Sequence, residues 1–218
     1  MIVQTRQVRH EWHGLEAGGW RLEARSAVVS PGVLVCASLL QPPASSFQPG
    51  AILLTPDVVS WTDGGCRGNP GPGGWGMLLV NAASRDCLER CGGERTTTNN
   101  RMEITAAIMV LRSLKKPGLT VVINSDSQLL IKGATEWMRG WKARGWRRKE
   151  GELLNADLWQ ELDRLMEVQS TTWKWVKGHA GDPGNERADQ LTNRAMDAVQ
   201  AGQDADWTNR TTWTGRLG

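Results

Sequence analysis

The sequence predicts an α/β fold, a mixed sheet with helices packed on it, and three observations predict it. Three short β-rich runs, Val58–Asp63, Trp75–Val80 and Asp86–Cys91, follow one another with only turn residues between them. Helical and strand patterns then alternate toward the C-terminus. No internal repeat is visible. Strands in succession followed by an alternation of helices and strands suggest a mixed sheet with helices packed on it.

Each element has its own signal. Val58–Asp63 is a short strand ending at Gly64-Gly65, and the turn-rich Gly68-Asn69-Pro70-Gly71-Pro72-Gly73-Gly74 follows. Trp75–Val80 and Asp86–Cys91 are joined hairpin-fashion by Asn81–Arg85. Asn99–Leu114 is helical, with Ile104, Ile108, Leu111 and Leu114 at three- and four-residue spacing and Pro117-Gly118 as its stop. Thr120–Asn124 is β-branched and apolar, the pattern of a buried strand. Ser127–Trp137 and Ala156–Val168 read as helices, Thr171–Val176 as a strand with two Trp, and Asn185–Val199 as a last helix.

Composition sets limits on the function. The chain has 218 residues, 39% apolar, with 25 glycines, enough for one domain with extensions. No uninterrupted apolar run of about 18 residues exists, so a spanning helix is not expected. Four cysteines, Cys36, Cys66, Cys87 and Cys91, form no CxxC pair and suggest reduced thiols in a cytoplasmic protein. The net charge of +3 names no partner. The sequence divides into an extension, 1–56, a domain, 57–199, and a tail, 200–218. Ala27–Leu40 is apolar but interrupted by Pro31, and the arginines before it are mixed with Glu23, a poor match to a secretory signal.

Four carboxylates stand out by position. Asp63 ends the first strand, Glu103 lies in the first turn of the first helix, Asp126 follows the buried strand, and Asp189 lies near the start of the last helix. Ligand sites of open α/β sheets gather beyond strand C-termini. Clustered carboxylates repel unless a cation sits between them, and hard oxygen donors select Mg²⁺ or Mn²⁺. Each acid also has a plainer reading: Asp63-Gly64 as a turn pair, Glu103 closing a capping box with Asn100, Asp126 as an N-cap, Asp189 on a solvated helix face.

The text around the acids resembles type 1 ribonuclease H. Thr62-Asp63-Gly64-Gly65-Cys66-Arg67-Gly68-Asn69-Pro70-Gly71-Pro72-Gly73-Gly74 is similar to its first motif and Thr97-Thr98-Asn99-Asn100-Arg101-Met102-Glu103 to its second. Ser125-Asp126-Ser127-Gln128 is similar to the third, and Trp175-Val176-Lys177-Gly178-His179-Ala180-Gly181 with Asn185-Glu186-Arg187-Ala188-Asp189 to the fourth. The likeness covers about 58–197. Departures are Gly65 where Ser is common, Leu129 where an aromatic is common and Gln190 where Glu is common; none removes a carboxylate.

The resemblance implies a ribonuclease H-like mixed five-stranded sheet, three antiparallel strands then parallel ones, with helices on both faces. It implies endonucleolytic hydrolysis of the RNA strand of an RNA–DNA hybrid, leaving 5′-phosphate and 3′-hydroxyl ends. By similarity, Asp63, Glu103, Asp126 and Asp189 hold two Mg²⁺ ions, with Mn²⁺ an alternative, in a two-metal clamp. His179 assists proton transfer or product release. Cys66, Asn69, Gln128 and Glu103 match positions near the RNA strand, Asn99 and Asn100 the minor groove, and Thr98 a phosphate of the DNA strand. Trp137–Lys149 carries six basic residues and three Trp and matches the family's basic handle. There Trp137 faces the DNA strand, and Lys142, Arg144, Arg147, Arg148 and Lys149 meet phosphates. Local packing is the plainer role of Trp141 and Trp146. A monomer with no membrane association is expected.

Two other functions fit the same broad fold: a non-catalytic nucleic-acid binder, and a DNA nuclease or resolvase. The intact carboxylates argue against the first, and the handle and His179 loop against the second. Residues 1–56 match nothing in the family. With prolines at 31, 42, 43 and 49, they are expected to form a poorly ordered extension dispensable for catalysis. A start further downstream, near Val58, is a related expectation. The rival reading is an accessory module acting through Arg6, Arg9, Arg21 and Arg25 or through Ala27–Leu40.

Overall fold

The structure, a computed structural model, describes residues 55–217, so nearly all of the 1–56 extension lies outside the described residues. β1 (Val58–Cys66), β2 (Gly71–Asn81) and β3 (Asp86–Thr97) form an antiparallel meander. β4 (Thr120–Ser125) adds in parallel to β1, and β5 (Ser170–Trp175) adds in parallel to β4. Helix α1 (Asn99–Arg112) joins the antiparallel part to the parallel part. The α2 (Gln128–Lys132) helix, a π turn (Gly133–Trp137), α3 (Met138–Ala143) and α4 (Ala156–Met166) lie between β4 and β5. α5 (Pro183–Gln200) follows β5.

The expected mixed sheet with helices on both faces is present, with one strand more than expected. β6 (Trp207–Thr212) lies in the segment read as a tail and pairs antiparallel with β3, so the order is β5-β4-β1-β2-β3-β6. Its sequence, WTNRTT, sits on an edge with only Trp207 half-buried, so it shows no apolar alternation. Trp207 packs under the Arg194 guanidinium, 4.8 Å from the ring centroid.

β2 also begins earlier than its residues suggest. Gly71 to Gly74 read as turn, yet they are strand. The reason is packing: a side chain at Gly74 or Gly76 would run into Ala188, Thr192 and Ala195 of α5. These glycines let the helix lie directly on the sheet.

The sheet's two faces bury separate cores, as the period of two demands. On one face Val58, Met77, Val121 and Ile123 meet Met102, Ile104 and Ile108 of α1, with Leu130, Trp159 and Leu162 beyond. α1 is buried nearly all round because α4 covers its outer side. On the other face Val59, Trp61, Leu78 and Val80 pack against Ala188, Leu191 and Ala195 of α5. Among the described residues no helix is long and apolar enough to cross a membrane.

Candidate active site

Strand register sets the first two acids side by side. Thr62 of β1 pairs with Ser125 of β4, and Asp63 and Asp126 are the residues that follow each. Glu103 arrives from α1. A side chain at Gly64 would collide with the backbone of Met102 and Glu103, so glycine there lets the first turn of α1 rest on β1. Carboxylate oxygens of Asp63, Glu103 and Asp126 then lie within 4.8 Å of one another.

The plainer readings of three acids do not describe this arrangement. Thr98 caps α1, its hydroxyl accepting from the Arg101 N–H at 3.4 Å, and Ser127 caps α2, accepting from Leu130 N–H at 3.3 Å. Neither Glu103 nor Asp126 supplies the cap. Asp63-Gly64 is strand, not turn. Asp189, half-buried on α5, stands outside the group of three, but its charge reaches Asp63.

The electrostatics follow from burial. Desolvation, reinforced by the charges of Asp126 and Asp189, raises the Asp63 pKa to about 6; the Thr192 hydroxyl and the Gly64 N–H oppose the rise. Glu103 is 6% exposed, and burial with the charges of Asp63 and Asp126 pushes its pKa well above the usual carboxylate range. Its Oε2 is buried without a hydrogen-bond partner. An unpartnered buried carboxylate oxygen facing two more carboxylates is costly by itself and suits a hard divalent cation.

Asp126 is held from several sides. The Asn185 Nδ2 donates to its Oδ2 at 3.3 Å, and the indole of Trp175 donates to its main-chain carbonyl at 3.1 Å. The Gly178 backbone lies against the same carboxylate oxygen, where a side chain would not fit. The close approach brings the loop carrying His179 beside Asp126; His179 itself is exposed with φ +52°.

Sequence reasoning gives no role to Asn185, Thr192 or Trp175. Asn185 and Thr192 are legible once the helix is placed, four residues before and three after Asp189, on one face of α5. Trp175 carries no signal beyond its place in the fourth motif.

The other candidate residues spread outward from the acids. Asn69 is exposed and its Oδ1 accepts from the Asn99 N–H at 3.2 Å; Asn99, Asn100 and Gln128 are exposed. The Cys66 thiol instead turns inward, to the carbonyls of Gly68, Gly71 and Thr97. Asn100, Trp137, Trp141, Arg148 and Asn155 line a cavity of about 340 Å³ between α1 and the handle. Asn155 has no sequence signal; its left-handed backbone turns its Oδ1 to Arg101, 3.4 Å away.

The handle differs from expectation in two ways. The helix does not stop at Trp137 but runs on through a π turn to Ala143. Lys142, expected on a substrate phosphate, is ion-paired at the surface, to Asp163 at 2.7 Å and Glu167 at 2.6 Å. Arg144, Arg147, Arg148 and Lys149 are exposed and have no acidic partner among the described residues. Trp141 packs between Trp137 and Trp159, with ring centroids 5.8 Å and 5.3 Å away.

The acids gather where the β1–β4 pairing ends, on a mixed α/β sheet, an arrangement suited to divalent-metal chemistry. The RNase H family profile matches residues 55–197. Ribonuclease HI of Pseudomonas putida is 54% identical over 149 residues, 68% of this chain and 99% of the relative. Ribonuclease H of Bordetella pertussis is 52% identical over 144 residues, 66% of this chain and 91% of the relative. Among solved structures, LC9-RNase H1, a type 1 RNase H with the type 2 active-site motif, superimposes with a TM-score of 0.60 at 33% identity, over 73% of this chain and 79% of that one. The N-terminal RNase H domain of rv2228c from Mycobacterium tuberculosis gives 0.53 at 30%, over 68% and 99%. The chain belongs to the RNase H family, as a type 1, bacterial-type member.

Proposed function

We propose that the protein hydrolyses the RNA strand of RNA–DNA hybrids endonucleolytically, leaving 5′-phosphate and 3′-hydroxyl ends, as a cytoplasmic monomer. The observation that carries this is the group Asp63, Glu103 and Asp126 within 4.8 Å, with Glu103 Oε2 unpartnered, in a chain of this family. Those three, with Asp189 beside them, would hold two divalent cations, Mg²⁺ by preference and Mn²⁺ as an alternative. Bound there, the cations supply Lewis-acid stabilisation of the attacking and leaving oxygens of an in-line displacement.

The chain's own residues do the rest. Asn185 and Trp175 orient Asp126. His179, exposed on its loop, assists proton transfer or product release. Asn69 and Gln128 recognise the RNA strand, where a 2′-hydroxyl serves as donor and acceptor, while the Cys66 thiol, bonded to the carbonyls of Gly68, Gly71 and Thr97, shapes the turn that carries Asn69. Asn99 and Asn100 reach the minor groove. Thr98, Trp137, Arg144, Arg147, Arg148 and Lys149 hold the DNA strand. Lys142 instead ties the handle to the end of α4, through Asp163 and Glu167.

The test is cleavage of a uniform RNA–DNA hybrid beside matched duplex RNA and duplex DNA, with Mg²⁺ and then with EDTA. Hybrid cleavage abolished by EDTA is expected. Cleavage of duplex DNA would favour a DNA nuclease, and binding without cleavage a non-catalytic binder.

A further inference from the structure

We infer that Trp175 is a positioning residue of the acidic centre: its indole N–H, donated to the main-chain carbonyl of Asp126, fixes where that carboxylate stands. The inference rests on reading the three carboxylates as a metal centre. Asp63 is set in β1 and Glu103 in α1, but Asp126 lies in the bend between β4 and α2, on no regular element. Within the bend the Ser127 N–H donates to Ser125 Oγ at 3.2 Å; the carboxylate's position depends also on contacts from neighbouring elements. Side-chain orientation comes from Asn185, whose Nδ2 is 3.3 Å from Oδ2. The main chain itself is held by Trp175, at 3.1 Å.

The sheet brings this donor to the site. Trp175 is the last residue of β5 and pairs with Ser125, the residue before Asp126. The next N–H, of Val176, donates to the Ser125 carbonyl at 3.0 Å. The β5 ladder therefore extends as far as the bend and delivers the indole there. Core burial does not account for the residue, because Trp175 is 50% exposed, one of four large apolar side chains so placed among the described residues. A phenylalanine would supply the same partial packing; only the N–H reaches Asp126.

Trp175→Phe keeps the ring and removes the donor. In this variant kcat on the hybrid is expected to fall about three- to tenfold, the range of one net hydrogen bond, with KM changed less than about twofold. Mn²⁺ binding by calorimetry, without nucleic acid, is expected to weaken by a similar factor at an unchanged melting temperature. A folded variant with unchanged kcat and unchanged Mn²⁺ affinity overturns the inference. In the unsubstituted protein the Trp175 indole proton, followed by NMR, is expected to exchange slowly with solvent and to shift when Mg²⁺ is added. Fast exchange with no response to Mg²⁺ overturns it also, even if the variant does not fold. An unsubstituted protein that binds Mn²⁺ but leaves the hybrid intact overturns the substrate reading alone; the Mn²⁺ titration and the indole signal then decide on Trp175.

Discussion

At the scale of single residues the centre is a set of charges kept close against their mutual repulsion. Asp63→Asn and Asp126→Asn each remove a charge without changing shape. Each is expected to lower turnover on the order of 10²–10³-fold or more, the size of effect of one preorganised electrostatic group, with the fold retained. Steady-state kinetics at millimolar Mg²⁺ with circular dichroism checks this; near-normal turnover in either folded variant would remove these acids from the mechanism. His179→Ala is expected to lose no more than about 10²-fold, the lower end of what acid–base assistance supplies. A loss as large as that of Asp63→Asn would give the imidazole a larger part.

The same repulsion makes a pH prediction for the metal-free protein. Burial raises the Asp63 pKa to about 6, above its unfolded value of about 3.9. A carboxyl with a raised folded pKa favours folding below the unfolded value and loses that contribution as pH rises through the folded one. In EDTA, unsubstituted protein is expected to lose stability between about pH 4 and pH 6.5 relative to Asp63→Asn, by on the order of 2 kcal/mol. Parallel melting curves of the two proteins across that range would show the asparagine variant no more stable at pH 7 if the carboxylates are not strained. The four acids are legible in the sequence because each stands in a motif at a strand or helix end. Thr192 is not, because a threonine inside a helix looks like surface until the helix is docked.

At the scale of elements, the handle separates phosphate binding from scaffolding. Neutralising Arg144, Arg147, Arg148 and Lys149 together is expected to weaken hybrid binding. The magnitude of the log–log salt slope should fall by roughly 0.7–0.9 for each phosphate left without its cation. Lys142→Ala is expected to lower the melting temperature and leave the slope unchanged, since Lys142 is spent on Asp163 and Glu167. Binding titrations at several salt concentrations distinguish the two. The basic run is plain in the sequence, but which cation is internally paired is not, because the partners on α4 lie more than twenty positions downstream.

β6 is a second element whose importance the sequence hides. Its Asn209 donates to Glu89 at 3.2 Å, and Arg187 of α5 donates to both oxygens of the same carboxylate at 2.8 and 2.9 Å. Glu89 is 5% exposed, so it needs those partners. Arg187 first, against the burial cost, then Asn209 hold its pKa below the usual range, so its contribution is present above pH ~4.3 and disappears as pH falls. Beyond the strand, Arg85 holds the carbonyls of Trp213 and Gly215, and Trp213 packs on Trp61 at 5.6 Å. Glu89→Gln is expected to cost about 1–3 kcal/mol in denaturant unfolding at pH 7. Removing residues 207–218 is expected to cost more, because it also bares the β3 edge. An unchanged midpoint in both would make β6 an ornament. Its residues give no warning because an edge strand facing water needs no apolar alternation.

At the scale of the whole molecule, everything assigned to catalysis stands in 55–217. The six strands of the described residues, the four acids and the handle are there, and the family match covers 55–197. The Pseudomonas putida relative is matched over 99% of its length by 149 residues of this chain, so a domain of that size constitutes that enzyme. We propose Asp57 as the start of the catalytic domain. Its carboxylate accepts from the Thr120 N–H and hydroxyl at 2.8 and 2.7 Å, and its own N–H donates to the Thr120 carbonyl at 2.9 Å. These bonds tie the start of β1 to the start of β4, the pairing whose other end places Asp63 beside Asp126. A chain beginning at Asp57 is therefore expected to match the full chain in hybrid affinity, turnover and melting temperature. One beginning at Val58 is expected to melt lower, with the loss concentrated in the β1–β4 pairing. A tenfold drop in affinity for the Asp57 chain would assign a substrate-gripping role to Arg6, Arg9, Arg21 or Arg25. A clear drop in its melting temperature would assign the 1–56 segment a place in the folded domain.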